Sequence, residues 1–179
     1  IVYTQQSGAE LDLWIKDATA SQPHPLVQHA GVNRQPIISP DGRYVVFVSN
    51  RSGREHLWRT DADGTHPVEL TRGDSDVDPT FTADGKAVIY RRLTSGRGYL
   101  HRVSVDGGEP VQIMEKPAGD PAVSPDGSLI VVYHRPAPTS TVNLTTLPVN
   151  GGEPRSIRVL PGHFGRFRWT PDGHSVAWS

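Results

Sequence analysis

The chain has 179 residues, 35% hydrophobic and 21% charged, and its 18 Lys+Arg against 19 Asp+Glu leave a net charge of −1. That balance excludes a globally basic nucleic-acid binder, no run of the sequence approaches the roughly 20 apolar residues that span a bilayer, and zero cysteines exclude disulfides, thiolate-held zinc and thiol catalysis. Gly 18 and Pro 16 make up about 19% of the chain where about 12% is usual, which disfavours helices and points to short strands joined by tight turns.

Residues 1–33 open on apolar Ile1-Val2-Tyr3 and carry Leu13 and Pro23 but no Asp-Gly turn. From Ile38 onward a pattern sets in: Ser39-Pro40-Asp41-Gly42, then the apolar run Tyr44-Val45-Val46-Phe47-Val48, the loop Arg51-Ser52-Gly53-Arg54, Leu57-Trp58-Arg59, the turn Asp63-Gly64 and Pro67. The same order returns around Asp84-Gly85, Asp126-Gly127 and Asp172-Gly173, spaced 43, 42 and 46 residues apart from Asp41 on. Leu13, Leu57, Leu100 and Leu144 keep spacings of 44, 43 and 44, as do Pro23, Pro67, Pro110 and Pro154. Three independent markers with one period define a repeat.

Each period reads as four strands. The first ends in a Pro/Ala-Asp-Gly turn, where Gly takes the left-handed conformation that closes a hairpin. The second is a continuous apolar run, expected where both faces are buried. The third ends in Asp63-Gly64, Asp106-Gly107 or Asn150-Gly151, a second tight turn. The fourth follows its proline and suits a sheet edge. Four antiparallel strands per period of this length predict an all-β chain, a β-propeller of about four blade-equivalents. The expected divisions are a partial blade 1–33, blades about 34–76, 77–118 and 119–164, and a partial blade 165–179. A β-sandwich gives no reason for turn chemistry to recur at a fixed period.

Ile1-Val2-Tyr3 and Trp178-Ser179 both align with the middle of a second strand. With the start at Ile1 and no signal-peptide pattern, we expect a processed or excised piece. Two outcomes follow: the ends share one blade and close a four-bladed ring, or the chain is a segment of a larger ring whose open blade edges favour self-association into a homo-oligomer.

Ser39-Pro40-Asp41-Gly42, Asn50-Arg51-Ser52-Gly53 and Leu57-Trp58-Arg59 resemble the TolB-type, WD-repeat-like propeller. The stretches Gly107 to Ile113 and Gly151 to Ile157, each followed by a Pro-Asp-Gly turn, are similar to propellers appended to bacterial serine/threonine protein kinases and winged-helix regulators. The resemblance implies a bacterial, non-catalytic protein-interaction or sensing module, with a periplasmic or other extracytoplasmic location favoured. It also occurs in propellers that precede prolyl-oligopeptidase-type hydrolases, so a substrate-gating role is the alternative, with a small-ligand or glycan-binding propeller as a third.

No nucleophile elbow, P-loop or His-Glu-x-x-His is present, and we expect no catalytic residues, no metal and no cofactor. Asp61-Ala62-Asp63-Gly64 aligns with the other hairpin turns and lacks EF-hand spacing. Strand parity places the two kinds of hairpin turn at one end of the propeller, rich in Asp. Loops between second and third strands gather at the other, rich in arginine, which outnumbers lysine 15 to 3. Arginine suits bidentate recognition of carboxylates. The candidate protein- or peptide-binding residues are therefore Arg51, Arg54, Arg91, Arg92, Arg97, Arg135, His163 and Arg166, with His134 as a further surface contact. Asp76, Asp78 and Asp120 precede the first strands and are candidates for a polar channel mouth.

Overall fold

The structure, a computed structural model, describes residues 1–19, 21–134, 141–160 and 166–178. Five antiparallel sheets follow one another along the chain. The first holds β1 (Val2–Ser7), β2 (Glu10–Ile15) and β3 (His24–Val27). The second holds β4 (Asn33–Ile38), β5 (Tyr44–Ser49), β6 (His56–Asp61) and β7 (Val68–Glu69). The third holds β8 (Asp76–Phe81), β9 (Ala87–Thr94), β10 (Arg97–Ser104) and β11 (Val111–Gln112). The fourth holds β12 (Ala118–Val123), β13 (Leu129–His134), β14 (Val142–Pro148) and β15 (Ser156–Leu160), and the fifth β16 (Phe167–Trp169) and β17 (Val176–Trp178). Among the described residues there is no helix long and apolar enough to cross a membrane.

Three four-stranded blades thus stand between a three-stranded and a two-stranded sheet. β4, β8, β12 and β16 touch in succession and form the inner wall. β1 and the β16–β17 pair lie in separate sheets. Among the described residues the two ends thus share no sheet, and the chain forms an arc of a propeller.

The apolar runs explain the stacking. Along a strand, successive side chains face opposite ways. In β5, Val45 and Phe47 pack with Leu13, Ile15 and Leu26 of the first sheet, while Val46 and Val48 pack with Val77, Val88 and Tyr90 of the third. Ile89 of β9 faces the other way, onto Ile130, Val132 and Leu147 of the fourth. A middle strand buried on both faces is what a stack of blades requires.

The Asp-Gly turns share one hydrogen-bond pattern. Ser39 Oγ donates to Asp41 Oδ1 at 2.6 Å and accepts the Tyr44 N–H at 2.9 Å, while Gly42, at φ 75°, closes the turn. Thr82 with Asp84, Ser124 with Asp126 and Thr170 with Asp172 repeat it. Bonds to the charged form hold a carboxyl down. The Ser124 hydroxyl and the Ser128 N–H lower Asp126 to about 2, and Asp41, Asp84 and Asp172 are lowered by the equivalent bonds. At the outer edge, burial works to raise Glu69, but bonds from Ser52, His56 and Arg72 outweigh it and bring the carboxyl to about 2.

A carboxyl whose folded pKa lies below its unfolded value stabilises the fold above the unfolded value and stops doing so as pH falls through the folded one. Thermal stability is therefore expected to hold down to about pH 4.5 and to fall between there and about pH 2 as Glu69 and Asp126 protonate, with the other lowered turn aspartates adding to the loss. Circular-dichroism melts across that range check it. Glu69→Gln should flatten part of the slope; an unaltered slope in that variant would remove Glu69 from the account.

Three of the inner strands, β4, β8 and β12, are kinked at one shared step. Gln35 (φ 52°), Asp78 (φ 53°) and Asp120 (φ 48°) lie in the left-handed region, each immediately before a proline. The ladder skips there, between Arg34 and Ile37, Val77 and Thr80, and Gly119 and Ala122. These are β-bulges, which re-aim side chains.

Candidate functional site

The three bulge residues occupy one repeat position, six residues before the turn aspartate, and Arg166 holds that position in the fifth sheet. All four line one cleft of about 340 Å³ on the inner wall. Ile37, Thr80, Val123, Arg168 and Trp169 complete much of its surface. Pockets of roughly this size hold small ligands or a few residues of a chain.

The acidic side of the cleft is tied together across three blades. Gln35 Nε2 donates to Asp78 Oδ1 at 2.7 Å, and the Asp78 N–H returns a bond to Gln35 Oε1 at 2.9 Å. Arg91 Nη2 forms an ion pair with Asp78 Oδ2 at 2.7 Å. Its Nη1 donates to the Tyr133 hydroxyl, also at 2.7 Å. Two glycines make room: a Cβ at Gly98 would lie 2.5 Å from Arg91 Cδ, and one at Gly119 would lie 2.6 Å from the Tyr133 hydroxyl. Burial raises the Tyr133 phenol, with Arg91 opposing and Asp120 adding to the shift.

Asp120 differs from Asp78. Arg91 stands seven residues after its turn aspartate, and the fourth sheet has Tyr133 at that place. Asp120 therefore has no arginine of its own, and among the described residues it closes no ion pair. Burial raises its carboxyl, and neighbouring Asp78 raises it further, against the pull of Arg91 and Arg166. A raised carboxyl gives up stability as pH climbs past its unfolded value. Asp120→Asn should accordingly raise the melting temperature at pH 7, with the gain shrinking as pH falls through the raised value and gone below the ordinary aspartate value of 3.8; a loss of stability at pH 7 would show that the carboxylate is satisfied.

The candidate residues separate into distinct groups. Asp78, Asp120, Arg91 and Arg166 belong to the cleft or its support. Asp76 does not reach a channel mouth: its side chain is fully buried, held by Arg92 Nε at 2.8 Å and Nη2 at 3.2 Å and by the Gly73 N–H at 3.1 Å. Asp76, Asp78 and Asp120 lie within β8 and β12 and not ahead of them. Arg91 and Arg92 lie within β9 and not in a loop, because that strand runs on to a two-residue turn at Ser95-Gly96, both at positive φ. Arg51 stacks on Phe47 and Trp58, 5.2 and 4.7 Å from the ring centres, and donates to Asn33 Oδ1, and burial lowers its pKa. Arg54 pairs with Asp74 at the surface, and Arg97 is exposed. His134 is buried, with Nδ1 2.6 Å from the Pro117 carbonyl, so it is no surface contact. Arg135 and His163 lie outside the described residues.

Gln35 and Tyr133 were not among the residues picked out in the sequence. Both had a signal: Gln35 is six residues before Asp41, and Tyr133 stands where the previous repeat has Arg91.

No curated protein matches the sequence. Among solved structures, TolB from Acinetobacter baumannii superposes with a TM-score of 0.81 at 22% identity, over 98% of this chain and 44% of that one. A candidate TolB from Agrobacterium tumefaciens gives 0.77 at 20% identity, over 99% of this chain and 70% of that one. A puromycin hydrolase S511A mutant complexed with PGG gives 0.71 at 19% identity, over 99% of this chain and 33% of that one. The chain thus spans under half the length of the Acinetobacter protein. These likenesses establish the fold. The TolB beta propeller domain family matches residues 1–173, and with its repeats, its blades and its kinked inner strands the chain belongs to that family.

Proposed function

We infer that the chain is a non-catalytic binding module that holds an extended polypeptide on the inner wall of its propeller. The observation that carries this reading is the convergence of four equivalent positions, Gln35, Asp78, Asp120 and Arg166, on one cleft with an apolar side at Ile37, Val123 and Trp169. Such a mixture of apolar wall and fixed polar groups suits a peptide, whose backbone both donates and accepts. The groups stand on strands cross-braced by the Gln35–Asp78–Arg91–Tyr133 chain, so the site is preorganised and binding loses little to ordering. The resemblance of the Gly107–Ile113 and Gly151–Ile157 stretches to kinase-appended propellers favours a sensing role for the capture.

The test is selection of a random peptide library displayed on phage against the immobilised chain. Enrichment is expected on the wild type and its loss on Asp120→Arg, with the selected peptides recovered at full mass after incubation. Equal enrichment on the variant would move the site elsewhere. Peptides shortened by the chain would overturn the non-catalytic reading and favour a peptidase-type role.

A further inference from the structure

The cleft is electrically two-sided. On one wall Asp78 is already paired with Arg91, while Asp120 closes no ion pair among the described residues. On the other wall Arg166 lies just ahead of β16 and Arg168 within it. Both are exposed and both line the cleft. The charge of Arg166 acts on Asp120 across the gap, yet no ion pair joins them. A half-buried carboxylate and a pair of guanidiniums that face one another unjoined leave room for a ligand to satisfy both.

We propose that the cleft takes a polypeptide segment carrying a cationic and an anionic side chain next to each other, the cation on Asp120 and the anion on Arg166 and Arg168. This rests on the polypeptide-binding reading and adds the charge pattern of the partner. A purely acidic segment would meet Asp120 as a like charge, and a purely basic one would meet the two arginines. The cleft volume of about 340 Å³ suits the one or two side chains the assignment needs. Guanidinium groups can take the anion in bidentate fashion, and Ile37, Val123 and Trp169 in the cleft lining offer apolar surface to the stems of the ligand side chains.

The experiment uses the whole chain at low salt and four end-blocked decapeptides of Gly and Ser, whose central pair is Lys-Glu, Lys-Gln, Gln-Glu or Gln-Gln. Affinities are measured by calorimetry for the wild type, Asp120→Asn and Arg166→Gln/Arg168→Gln. Each charge is expected to improve wild-type binding by about tenfold, as a charge-assisted hydrogen bond does. Asp120→Asn should remove the advantage of the lysine and keep that of the glutamate, and the double arginine variant should do the reverse. Equal binding of all four peptides, or a lysine advantage that survives Asp120→Asn, overturns the charge assignment while leaving polypeptide capture standing. Failure of every peptide to bind overturns both.

Discussion

Arg92→Leu is expected to destabilise the chain by about 3–5 kcal/mol, the range for breaking a buried ion pair by removing one partner. The Asp76 side chain has 0% exposure, and Arg92 supplies two of its hydrogen bonds. Without the guanidinium, the carboxylate keeps only the Gly73 N–H, far short of what a buried charge needs. Arg92 Nη2 also donates to the Tyr90 hydroxyl at 2.9 Å, and that hydroxyl is buried in the core between the second and third sheets. Urea unfolding measures the loss. Asp76→Asn combined with Arg92→Leu should recover much of it, since the amide oxygen can still accept from Gly73 while the buried charge is gone. A single-variant loss below about 1 kcal/mol would place the pair in the class of solvated surface bridges. Reversing the charges of Arg51, Arg91 and Arg92 would likewise strip Asn33, Asp78 and Asp76 of their partners and unfold the blades before it reported on any bound protein.

Phe47→Ala should cost about 3–5 kcal/mol, as large-to-small changes of buried aromatics do. Its ring is fully buried and joins the second sheet to Leu13, Ile15 and Leu26 of the first. Its loss also removes a face on which the Arg51 guanidinium rests. The contrast is Val111→Ala on β11, where the side chain is 62% exposed; it should change stability by no more than about 0.5 kcal/mol. Comparable effects at the two positions would mean that the interface between the first and second sheets is not packed as described.

The blades were legible in the sequence because turn chemistry and burial are both local. Asp-Gly at a fixed period gives the hairpins, and a continuous apolar run gives a strand covered on both faces. Asp78 and Asp120 were also picked out, although as residues ahead of the first strands and not within β8 and β12. What escaped was pairing. Arg91-Arg92 looks like loop sequence because two charges in a row do not belong in a buried strand, and only the pairing of β8 with β9, which sets Asp76 opposite Arg92 and brings Asp78 to Arg91, supplies the neutralising partners. His134 escaped for the same reason: its acceptor, the Pro117 carbonyl, is 17 residues away and leaves no mark in the sequence around the histidine. Charge patterns along a strand are read only against the strand beside it.

The kink in β4, β8 and β12 separates two demands that usually compete at one position. Residues 35–36, 78–79 and 120–121 fall in the gap of the ladder, so the side chains there are released from the cross-strand matching that governs the rest of a sheet. An amide and two carboxylates can then occupy equivalent places in successive blades without a change in blade architecture. The wall behaves as a row of sockets on a fixed frame, and its specificity can be rewritten one socket at a time, by an engineer or by mutation, with the frame left to fold as before.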